Sequence, residues 1–547
     1  MVPKRLLSAV AVLLFLPLFA VIPGHVHASL PQQDSGTWTL GPSTTSVRAG
    51  ATATVMYDGS VLVAGGVDRD GNPLAQVEIL NTDGTLTPTA PMHVARTGHA
   101  AVWLSTGYVL VSGGTTSGGV VTNTAEIYDP MRNSWTLLTA VLNDPRSGHT
   151  ASNLPDGSVL IAGGNNGTYP LSSIEIFSIT TEEFSFAGSM VSPREHHSAV
   201  TLKDGRIALI GGANERGEAL ASTVVFDPEL HSLSDGPVLG VPRSFAGAAT
   251  LLDGTVLVAG GETTDHKELR TAEIVDFSFG SVQLLSSSMA VPRSHHSILV
   301  LKDSNLVILA GGLSSGSPTS SVEVFTPWTG KFAIAAPMLA PRVSACAVNL
   351  DFAPGRAILI GGADQGSTEL YAFATVKTNH ADYYPGDRVT ISGAGWVSLE
   401  QVELQLASTK YAPVYMTAQA NALGEIQNSD FVVPADASGA AFVLTAIGTQ
   451  SQAQTAFTDA NENTTTTVVA TPNPSTFGQQ VTLTASVVVA NTSTPVTCGA
   501  IQFRDSATAL GSPVTVDGVG TASYSVTLLS IGPHSITCCL YQGGRPM

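Results

Sequence analysis

An internal repeat of about 50 residues runs through most of the chain and constrains its fold more than any other feature. Each unit contains an apolar run that ends in a pair of glycines, and an arginine recurs in the same phase. Two independent markers that keep one period over seven copies indicate a repeat architecture. The first glycines are Gly65, Gly113, Gly163, Gly211, Gly260, Gly311 and Gly361, and the arginines are Arg48, Arg96, Arg146, Arg194, Arg243, Arg293 and Arg342.

Each unit predicts four short antiparallel strands. The first strand follows the arginine, and a tight turn such as Asp58-Gly59 leads into the second strand, which ends at the glycine pair. The third strand carries a recurring glutamate, and the fourth carries bulky residues such as Trp135. Four short strands repeated radially predict an all-β fold, a seven-bladed β-propeller over residues 35–375.

The ends of the repeat array predict how the ring closes. The seventh unit lacks a fourth strand, whereas Trp38-Thr39-Leu40, before the first arginine, resembles the fourth-strand segment Trp135-Thr136-Leu137. We therefore expect the N-terminal strand around Trp38 to complete the seventh blade.

These repeats resemble kelch repeats, whose hallmarks are the strand-ending glycine pair and a downstream aromatic position. The resemblance covers about 340 residues and implies a kelch propeller. It implies no single function, because kelch propellers serve as enzymes, adaptors and adhesins.

Behind the repeats, the sequence predicts two Ig-like β-sandwich modules, at residues 376–459 and 463–547. The second module resembles a bacterial Ig-like repeat, because Pro472-Asn473-Pro474-Ser475 precedes its strand Val481–Val487. The ending at Cys538-Cys539 departs from that family, so we expect this module to be incomplete. A disulfide from Cys498 to Cys538 or to Cys539 is compatible with the sequence, which leaves the pairing open.

The N-terminus predicts a signal peptide of residues 1–28. Lys4 and Arg5 precede an apolar run over residues 6–22, and Val26-His27-Ala28 supplies a small-x-small cleavage site. The alternative, a membrane anchor, is disfavoured by prolines within and just after the run. We expect a protein that is secreted or held at the cell surface, with no membrane span in the mature chain.

Net charge and repeat symmetry exclude several function classes. The formal net charge of −18 is unsuited to nucleic acid, which requires a basic surface. Histidines recur after the arginines, and because a propeller places equivalent positions around a ring, we interpret them as scaffold groups hydrogen-bonded within each blade. They are His99, His149, His197 and His296, with His196 and His295 adjacent to the last two. We predict no metal site, cofactor or catalytic residue, and the oligomeric state remains open.

The recurring glutamates are also interpreted as scaffold groups. Our hypothesis is that they pair with the repeat arginines through charge-assisted hydrogen bonds. They are Glu78, Glu126, Glu175, Glu273, Glu323 and Glu369, with Val224 at this position in the fourth unit.

The architecture is similar to the copper-radical oxidase family of galactose oxidase, which combines a seven-bladed kelch propeller with an Ig-like domain. The segment Arg293-Ser294-His295-His296-Ser297 resembles the Tyr-His-Ser motif of that family. The tyrosine position is His295, however, and Cys346 is the propeller's only cysteine, with no tyrosine evidently placed to join it. We therefore favour a non-enzymatic protein. The alternative is a carbohydrate-active enzyme, either a galactose oxidase-like oxidase or a sugar epimerase.

Function is expected in the unequal loops that follow the glycine pairs, since repeat scaffolds present their variable loops to ligands. The sequence favours an exported binding or surface-scaffold protein that recognises an extracellular glycan or protein. Candidate ligand-binding residues are Asp68, Arg69, Asp70, Asn165, Asn166, Tyr169, Asn214, Glu215, Arg216, Glu262, Asp265, His266 and Lys267.

Overall fold

A computed structural model describes residues 36–542 and 545–546, apart from gaps at 363–365, 409, 435–436, 438, 460–463, 477, 490–499, 506–507, 518 and 528–533. The predicted signal peptide and Cys498 lie outside the described residues. The chain divides into two compact units. The first comprises the described residues up to Asn379 with Thr390–Asp430 and Phe442–Ala456, and the second comprises His380–Val389, Phe431–Ala441 and the described residues from Phe457 onward.

Seven four-stranded antiparallel sheets form the blades in the first unit. Blades 1 to 3 consist of β2(Thr52–Val55), β3(Val61–Ala64), β4(Val77–Leu80), β5(Leu86–Thr89); β6(Ala100–Trp103), β7(Val109–Ser112), β8(Ala125–Asp129), β9(Ser134–Leu137); and β10(Thr150–Asn153), β11(Val159–Ala162), β12(Ser173–Ser178), β13(Glu183–Ser189). Blades 4 and 5 consist of β14(Ser198–Thr201), β15(Ile207–Ile210), β16(Thr223–Asp227), β17(Ser232–Asp235); and β18(Gly247–Thr250), β19(Val256–Ala259), β20(Ala272–Asp276), β21(Ser281–Leu284).

Blade 6 contains an additional hairpin, and blade 7 takes its fourth strand from the N-terminal part of the chain. Blade 6 consists of β22(Ser297–Val300), β23(Val307–Ala310), β26(Val322–Thr326) and β27(Lys331–Ala335), with the hairpin β24(Leu313–Ser314)–β25(Ser317–Pro318). Blade 7 consists of β28(Cys346–Asn349), β29(Arg356–Ile360), β30(Thr368–Ala372) and β1(Thr37–Leu40). A short 3-10 helix, Ser117–Gly119, lies in the loop before β8.

The N-terminal strand lies at the position expected for a closing strand. Strand β1 pairs with β30 in an antiparallel register that sets Trp38 opposite Tyr371. Their rings lie 4.8 Å apart, and the Trp38 indole N–H donates to the carbonyl of Ala336 in blade 6 at 2.9 Å. The first and last segments of the propeller therefore share one blade.

Blade-to-blade packing explains why the second strands lack alternation. Every residue of strand β7 is buried, because its two faces contact different neighbours. One face packs with blade 1 residues such as Leu62, and the other packs toward blade 3 residues such as Ile161. A strand covered on both faces reads as a continuous apolar run.

The glycine pairs fit a close approach between backbones. At Gly113 (φ 60°), a Cβ atom would lie 2.3 Å from the carbonyl oxygen of Arg146, the arginine of the next repeat. At Gly114 (φ 100°), a Cβ atom would lie 2.8 Å from the carbonyl oxygen of Thr97. Only glycine combines this left-handed φ with the absence of a side chain.

The predicted arginine–glutamate pairs are confirmed in six blades. Arg96 Nη2 lies 2.7 Å from Glu126 Oε1, and both side chains are fully buried. The arginine precedes the first strand and the glutamate lies on the third, so each pair fixes the segment that enters a blade to the centre of that blade. The other pairs are Arg48–Glu78, Arg146–Glu175, Arg243–Glu273, Arg293–Glu323 and Arg342–Glu369.

The remaining strands of the first unit follow the propeller in the chain. Strands β31(Lys377–Thr378), β33(Ile391–Gly393) and β36(Ile426–Asn428) form one sheet. Strand β34(Gln401–Ser408) pairs with β35(Val414–Gln419) and with the unit's residues of β37(Ala441–Ile447). Within this unit, the backbone N–H of Gln454 donates to Ser304 of blade 6 at 2.9 Å.

The second unit contains two sheets and one short parallel pair. Strand β32(Asp382–Tyr383) pairs in parallel with the end of β38(Gln452–Asp459). One sheet has the order β39(Thr464–Thr471), β40(Val481–Val489), β44(Thr521–Val526). The other has the order β42(Thr508–Ala509), β41(Ala500–Asp505), β45(Ile536–Gln542), β46(Arg545–Pro546), with β43(Val514–Thr515) also paired to β41. No helix in the described parts of the chain is long and apolar enough to cross a membrane.

Candidate functional site at the axial ring

The first strands of the seven blades surround the propeller axis. Each contacts the first strand of the next blade, and β28 of blade 7 contacts β2 of blade 1, so the contacts close a ring. The residues that enter these strands therefore meet at one end of the axis. Loops on a rigid scaffold at such a position are common ligand sites.

Seven equivalent residues at this end share a left-handed backbone, with φ from 51° to 64°. We call them the axial ring. Backbone hydrogen bonds connect members of successive blades, as from Phe245 N–H to the His196 carbonyl at 3.0 Å and from Ser344 N–H to the His295 carbonyl at 3.0 Å. Each member lies two residues after a repeat arginine, and the seven are Gly50, Gly98, Gly148, His196, Phe245, His295 and Ser344.

Four members of the axial ring are not glycine, although left-handed φ is unfavourable for residues with a Cβ atom. Such strained residues occur frequently at functional sites. Histidine and phenylalanine at these positions therefore make this segment a candidate functional site.

Three side chains of the axial ring form a continuous stack. The rings of His196 and Phe245 lie 3.9 Å apart, and those of Phe245 and His295 lie 3.7 Å apart, with interplanar angles of 22° and 24°. Burial lowers the pKa of His196 to about 4 and also lowers the pKa of His295. The stack is therefore uncharged at neutral pH.

One carboxylate contacts the stack, and two more act on it electrostatically. Glu195 Oε2 lies 3.5 Å from His196 Nε2, and burial raises the pKa of Glu195. Glu262 acts electrostatically on both stacked histidines and also contacts His266 Nδ1 at 3.0 Å. Glu268 acts on His295 and accepts a hydrogen bond from Gly316 N–H at 2.8 Å. The site thus combines aromatic rings with anionic hydrogen-bond acceptors.

Some of the sequence-predicted loop residues join this site. Glu262 acts electrostatically on both stacked histidines, His266 contacts Glu262, and Asn165 hydrogen-bonds to Glu195. These residues connect the loops of blades 3 and 5 to the axial ring. Asn165 contacts the His196-bearing segment directly through Glu195, whereas His266 reaches the site only through Glu262.

The other predicted residues lie in exposed turns that satisfy their own backbone. Asp68 accepts hydrogen bonds from the N–H groups of Asp70 and Asn72, and these bonds lower its pKa. Asn214 accepts the N–H groups of Arg216 and Glu218. Asn166 accepts the Thr168 and Tyr169 N–H groups, while Arg69, Tyr169, Glu215, Asp265 and Lys267 are exposed.

The scaffold interpretation of the histidines needs two corrections. His99 Nε2 lies 3.0 Å from Thr52 Oγ1, and His197 Nε2 lies 3.0 Å from Thr150 Oγ1, so these bonds connect neighbouring blades instead of strands within one blade. His149 reaches Ser112 in the same way. His196 and His295 do not belong to this set, because they occupy the glycine position of the axial ring.

Comparison with known proteins agrees with this architecture. A family model described as the KLHDC2/KLHL20/DRC7 Kelch-repeats domain matches residues 31–212, and one described as a bacterial Ig-like domain (group 3) matches residues 466–544. The chain carries a kelch propeller followed by a bacterial Ig-like domain. Among curated proteins, no sequence matches the chain.

The kelch propeller is also similar to a solved structure, a fungal alcohol oxidase of the AA5 family in complex with copper. The two share 16% identity with a TM-score of 0.52, over 78% of this chain and 100% of the oxidase chain. At this identity the similarity concerns the fold alone.

The residues of this kelch propeller do not fit the copper centre that the fold family implies. Within the described residues, no group of three His, Cys, Asp or Glu side chains is arranged to hold a metal ion. The Cys346 thiol donates to the Ala51 carbonyl at 2.8 Å, and burial raises its pKa to about 12. His296, which stands at the histidine position of the Tyr-His-Ser motif, packs against Gly247 of blade 5. Glycine offers no hydroxyl partner for its ring.

Sequence reasoning missed the axial ring of the kelch propeller as a site. The available signal was the residue two positions after each arginine, which is glycine in the first three repeats and His196, Phe245, His295 and Ser344 in the others. Three glycines at one repeat position indicate a left-handed backbone. A bulky residue in that position then marks an exception to the repeat and a candidate site.

Proposed function

We propose that this chain is an exported, non-enzymatic binding protein whose kelch propeller recognises a glycan at the axial ring. The observation that carries the proposal is the stack of His196, Phe245 and His295, held at strained backbone positions, with Glu195 in contact and Glu262 acting on both histidines electrostatically. Domain boundaries at 35–375, 376–459 and 463–547, and a signal peptide at 1–28, belong to the same proposal.

The chemistry of the site favours a hydroxyl-rich ligand. Carboxylates accept hydrogen bonds from sugar hydroxyl groups, and aromatic rings contact the apolar C–H faces of sugars. Uncharged histidines add no positive charge, while Glu195, Glu262 and Glu268 make the site anionic when they are ionised. We therefore expect neutral sugars or amino sugars to bind and acidic sugars to be repelled.

The exposed turns supply a rim around this centre. Asp68, Arg69 and Asp70 lie on blade 1, and the other candidates lie on blades 3, 4 and 5. The backbone N–H groups of these turns are already hydrogen-bonded within the turn. Such pre-ordered turns lose little conformational entropy when a ligand binds. The candidates on those three blades are Asn165, Asn166, Tyr169, Asn214, Glu215, Arg216, Glu262, Asp265, His266 and Lys267.

The test is a glycan array probed with the secreted chain and with Phe245→Gly. Glycine is the residue of this position in blades 1 to 3, so the variant removes the central ring of the stack while retaining the backbone. We expect the wild type to bind neutral or amino-sugar glycans and Phe245→Gly to lose at least tenfold in affinity. If circular dichroism shows that the variant has lost its fold, Phe245 is a scaffold residue and its assignment to ligand binding is wrong.

A control substitution lies in a cavity at another part of the propeller. A cavity of about 370 Å³ is lined by Trp103, Asn153 and Asp156 at the turns that follow the first strands of blades 2 and 3. Trp103→Ala should leave binding unchanged, because these turns lie at the strand ends remote from the axial ring. If Trp103→Ala abolishes binding and Phe245→Gly does not, the axial assignment is wrong.

The same protein tests the enzymatic alternatives. The wild-type protein is incubated with copper(II) and with the glycans that bind, and hydrogen peroxide and epimerised sugar are measured. Turnover of either kind would replace the binding proposal with a carbohydrate-active enzyme, and a protein-only ligand found by affinity capture would replace the glycan.

A further inference from the structure

We infer that blade 4 contains a binding site for a small carboxylate anion, formed by Arg194 and the backbone N–H groups of Val191 and Ser192. This site occupies the place where a glutamate side chain lies in the six other blades. It shares no residue with the axial ring and does not depend on the proposed function.

The six glutamates show what this place accommodates. In blade 2, the Glu126 carboxylate accepts from Arg96 at 2.7 Å and from the N–H groups of His93 and Val94 at 2.7 and 3.1 Å. Glu273 repeats the pattern with Arg243 and the N–H groups of Gly240 and Val241. A carboxylate in this place therefore meets a guanidinium and backbone donors together, which is a strong anion environment.

Blade 4 retains the donors but lacks the carboxylate. Val224 pairs with Leu209 on the second strand, just as Glu126 pairs with Val111, so it lies at the glutamate's register position. Valine ends before the carboxyl group of a glutamate would begin. By comparison with the six glutamate-bearing blades, we expect the shorter side chain to leave room for one carboxylate beside the donors.

The donors of blade 4 are held as in the other blades. Arg194 is 1% exposed and donates to the Gly211 carbonyl at 2.8 Å, as Arg96 donates to Gly113. Met190 N–H donates to Ser172 at 2.9 Å, and Arg194 N–H donates to Leu171 at 3.0 Å. These bonds fix the segment on both sides of Val191 and Ser192, whose N–H groups have no acceptor in the described part of the chain.

Arg194 is the repeat arginine without an ion-pair partner within 4.0 Å among the described residues. Burial lowers its pKa to about 10, so the guanidinium stays charged at neutral pH. Asp235 lies across from Val224 on the neighbouring strand and acts on Arg194 electrostatically, but its side chain is exposed and makes no ion pair with it. A buried charge without a partner is costly, which favours uptake of an anion.

We expect a small anion to enter from the side of the exposed segment at Val191. Val191 is 89% exposed, whereas in blade 2 the equivalent His93 folds onto Glu126 at 3.0 Å. Formate and acetate have the size of the missing group and the two oxygens that the donors require. The fit to a guanidinium and two N–H groups favours a planar carboxylate over chloride.

The experiment titrates the full chain with sodium formate and sodium acetate, and with sodium chloride at equal ionic strength. We expect formate and acetate to raise the melting temperature of the wild type in a saturable manner, beyond the effect of chloride, and isothermal titration to give one site per chain. Equal effects of formate and chloride would overturn the proposal.

Two substitutions at one position provide the decisive controls. Val224→Glu supplies the carboxylate internally, so we expect a higher melting temperature than the wild type and no further response to formate. Val224→Met matches the length of glutamate and fills the space without charge, so it should abolish the formate response without that gain. A Val224→Glu chain that fails to fold, or that still responds to formate like the wild type, would show that the place is not equivalent to that of Glu126.

Asp235→Asn removes a carboxylate that acts electrostatically on Arg194 and so competes with a bound anion. If Arg194 binds a free carboxylate, removing Asp235 should leave formate affinity the same or raise it up to severalfold. A loss of formate binding in Asp235→Asn would contradict the assignment of the donors.

Discussion

The backbone N–H of Gly362 donates a 2.9 Å hydrogen bond to the carbonyl oxygen of Arg48, which joins the last repeat of the propeller to the first. The same bond connects sequential blades elsewhere, for example from Gly114 to Arg146 at 2.8 Å. The ring is therefore closed both by this bond and by the pairing of β1 with β30.

Gly362→Ala should destabilise the propeller strongly. Residue 362 has φ 72°, and a Cβ atom there would lie 2.6 Å from the Val343 carbonyl oxygen. We expect a loss of roughly 2 kcal/mol or more in the free energy of unfolding, measured by urea denaturation. Gly71→Ala is the control, because its φ is 81° but no atom lies within 4 Å, so it should lose only about 1 kcal/mol. Equal losses would show that the contact with Val343 is unimportant.

Trp38→Ala tests the closing strand against a matched tryptophan. Trp38 and Trp135 have similar contacts, with ring distances of 4.8 and 5.0 Å to a tyrosine and one indole N–H bond to a carbonyl each. Both alanine variants should lose about 3–5 kcal/mol of stability. Only Trp38→Ala should accelerate hydrogen exchange along β30, because Trp38 lies on β1, the strand that pairs with β30. Unchanged exchange at Leu370 would argue against this role.

Glu126→Ala should lower the free energy of unfolding by about 3–5 kcal/mol, because it leaves Arg96 buried without its partner. The double variant Arg96→Met/Glu126→Leu should cost less than the single change, since it removes both charges together. Denaturant titration of Arg96→Met, Glu126→Leu and the double variant completes a double-mutant cycle. A coupling near zero would mean that the pair does not act as a unit.

The buried histidines should make the protein less stable in acid. Burial lowers the pKa of His99 and of His197 to about 3, below the value of 6.5 for an exposed imidazole. Between about pH 6.5 and pH 3 the unfolded chain binds protons that these residues refuse in the folded protein, so stability falls with pH across this window. His99→Gln should reduce the slope by up to about 1.4 kcal/mol per pH unit, measured by denaturation at several pH values. An unaltered slope would contradict a neutral buried His99.

The fold followed from the sequence because each marker has one strong physical cause. A close backbone contact at positive φ requires the glycine pairs, and a buried ion pair requires the arginine and the glutamate at a fixed spacing. Both constraints recur in every blade or nearly so, which makes them visible as periodicity. The prediction that the histidines form hydrogen bonds within their own blades was wrong, because a repeat pattern does not distinguish partners in the same blade from partners in the next blade.

The site followed only in part, because it depends on departures from the repeat. His196 and His295 stand next to scaffold histidines and look like duplicates of them, and only the backbone angle separates the two classes. Val224 was visible as an exception, but the two N–H groups that its missing carboxylate would accept are backbone groups, which leave no trace in the sequence.

The unequal composition of the axial ring removes a degeneracy that the scaffold would otherwise impose. A seven-fold ring with identical residues would offer a ligand seven equivalent orientations and no means to choose among them. Here one side of the ring, at Gly50, Gly98 and Gly148, presents bare peptide groups, and the other side presents stacked rings and a hydroxyl at Ser344. The two sides of the ring therefore differ. An asymmetric ligand that spans the axis would bind in one preferred orientation, although the scaffold is nearly symmetric.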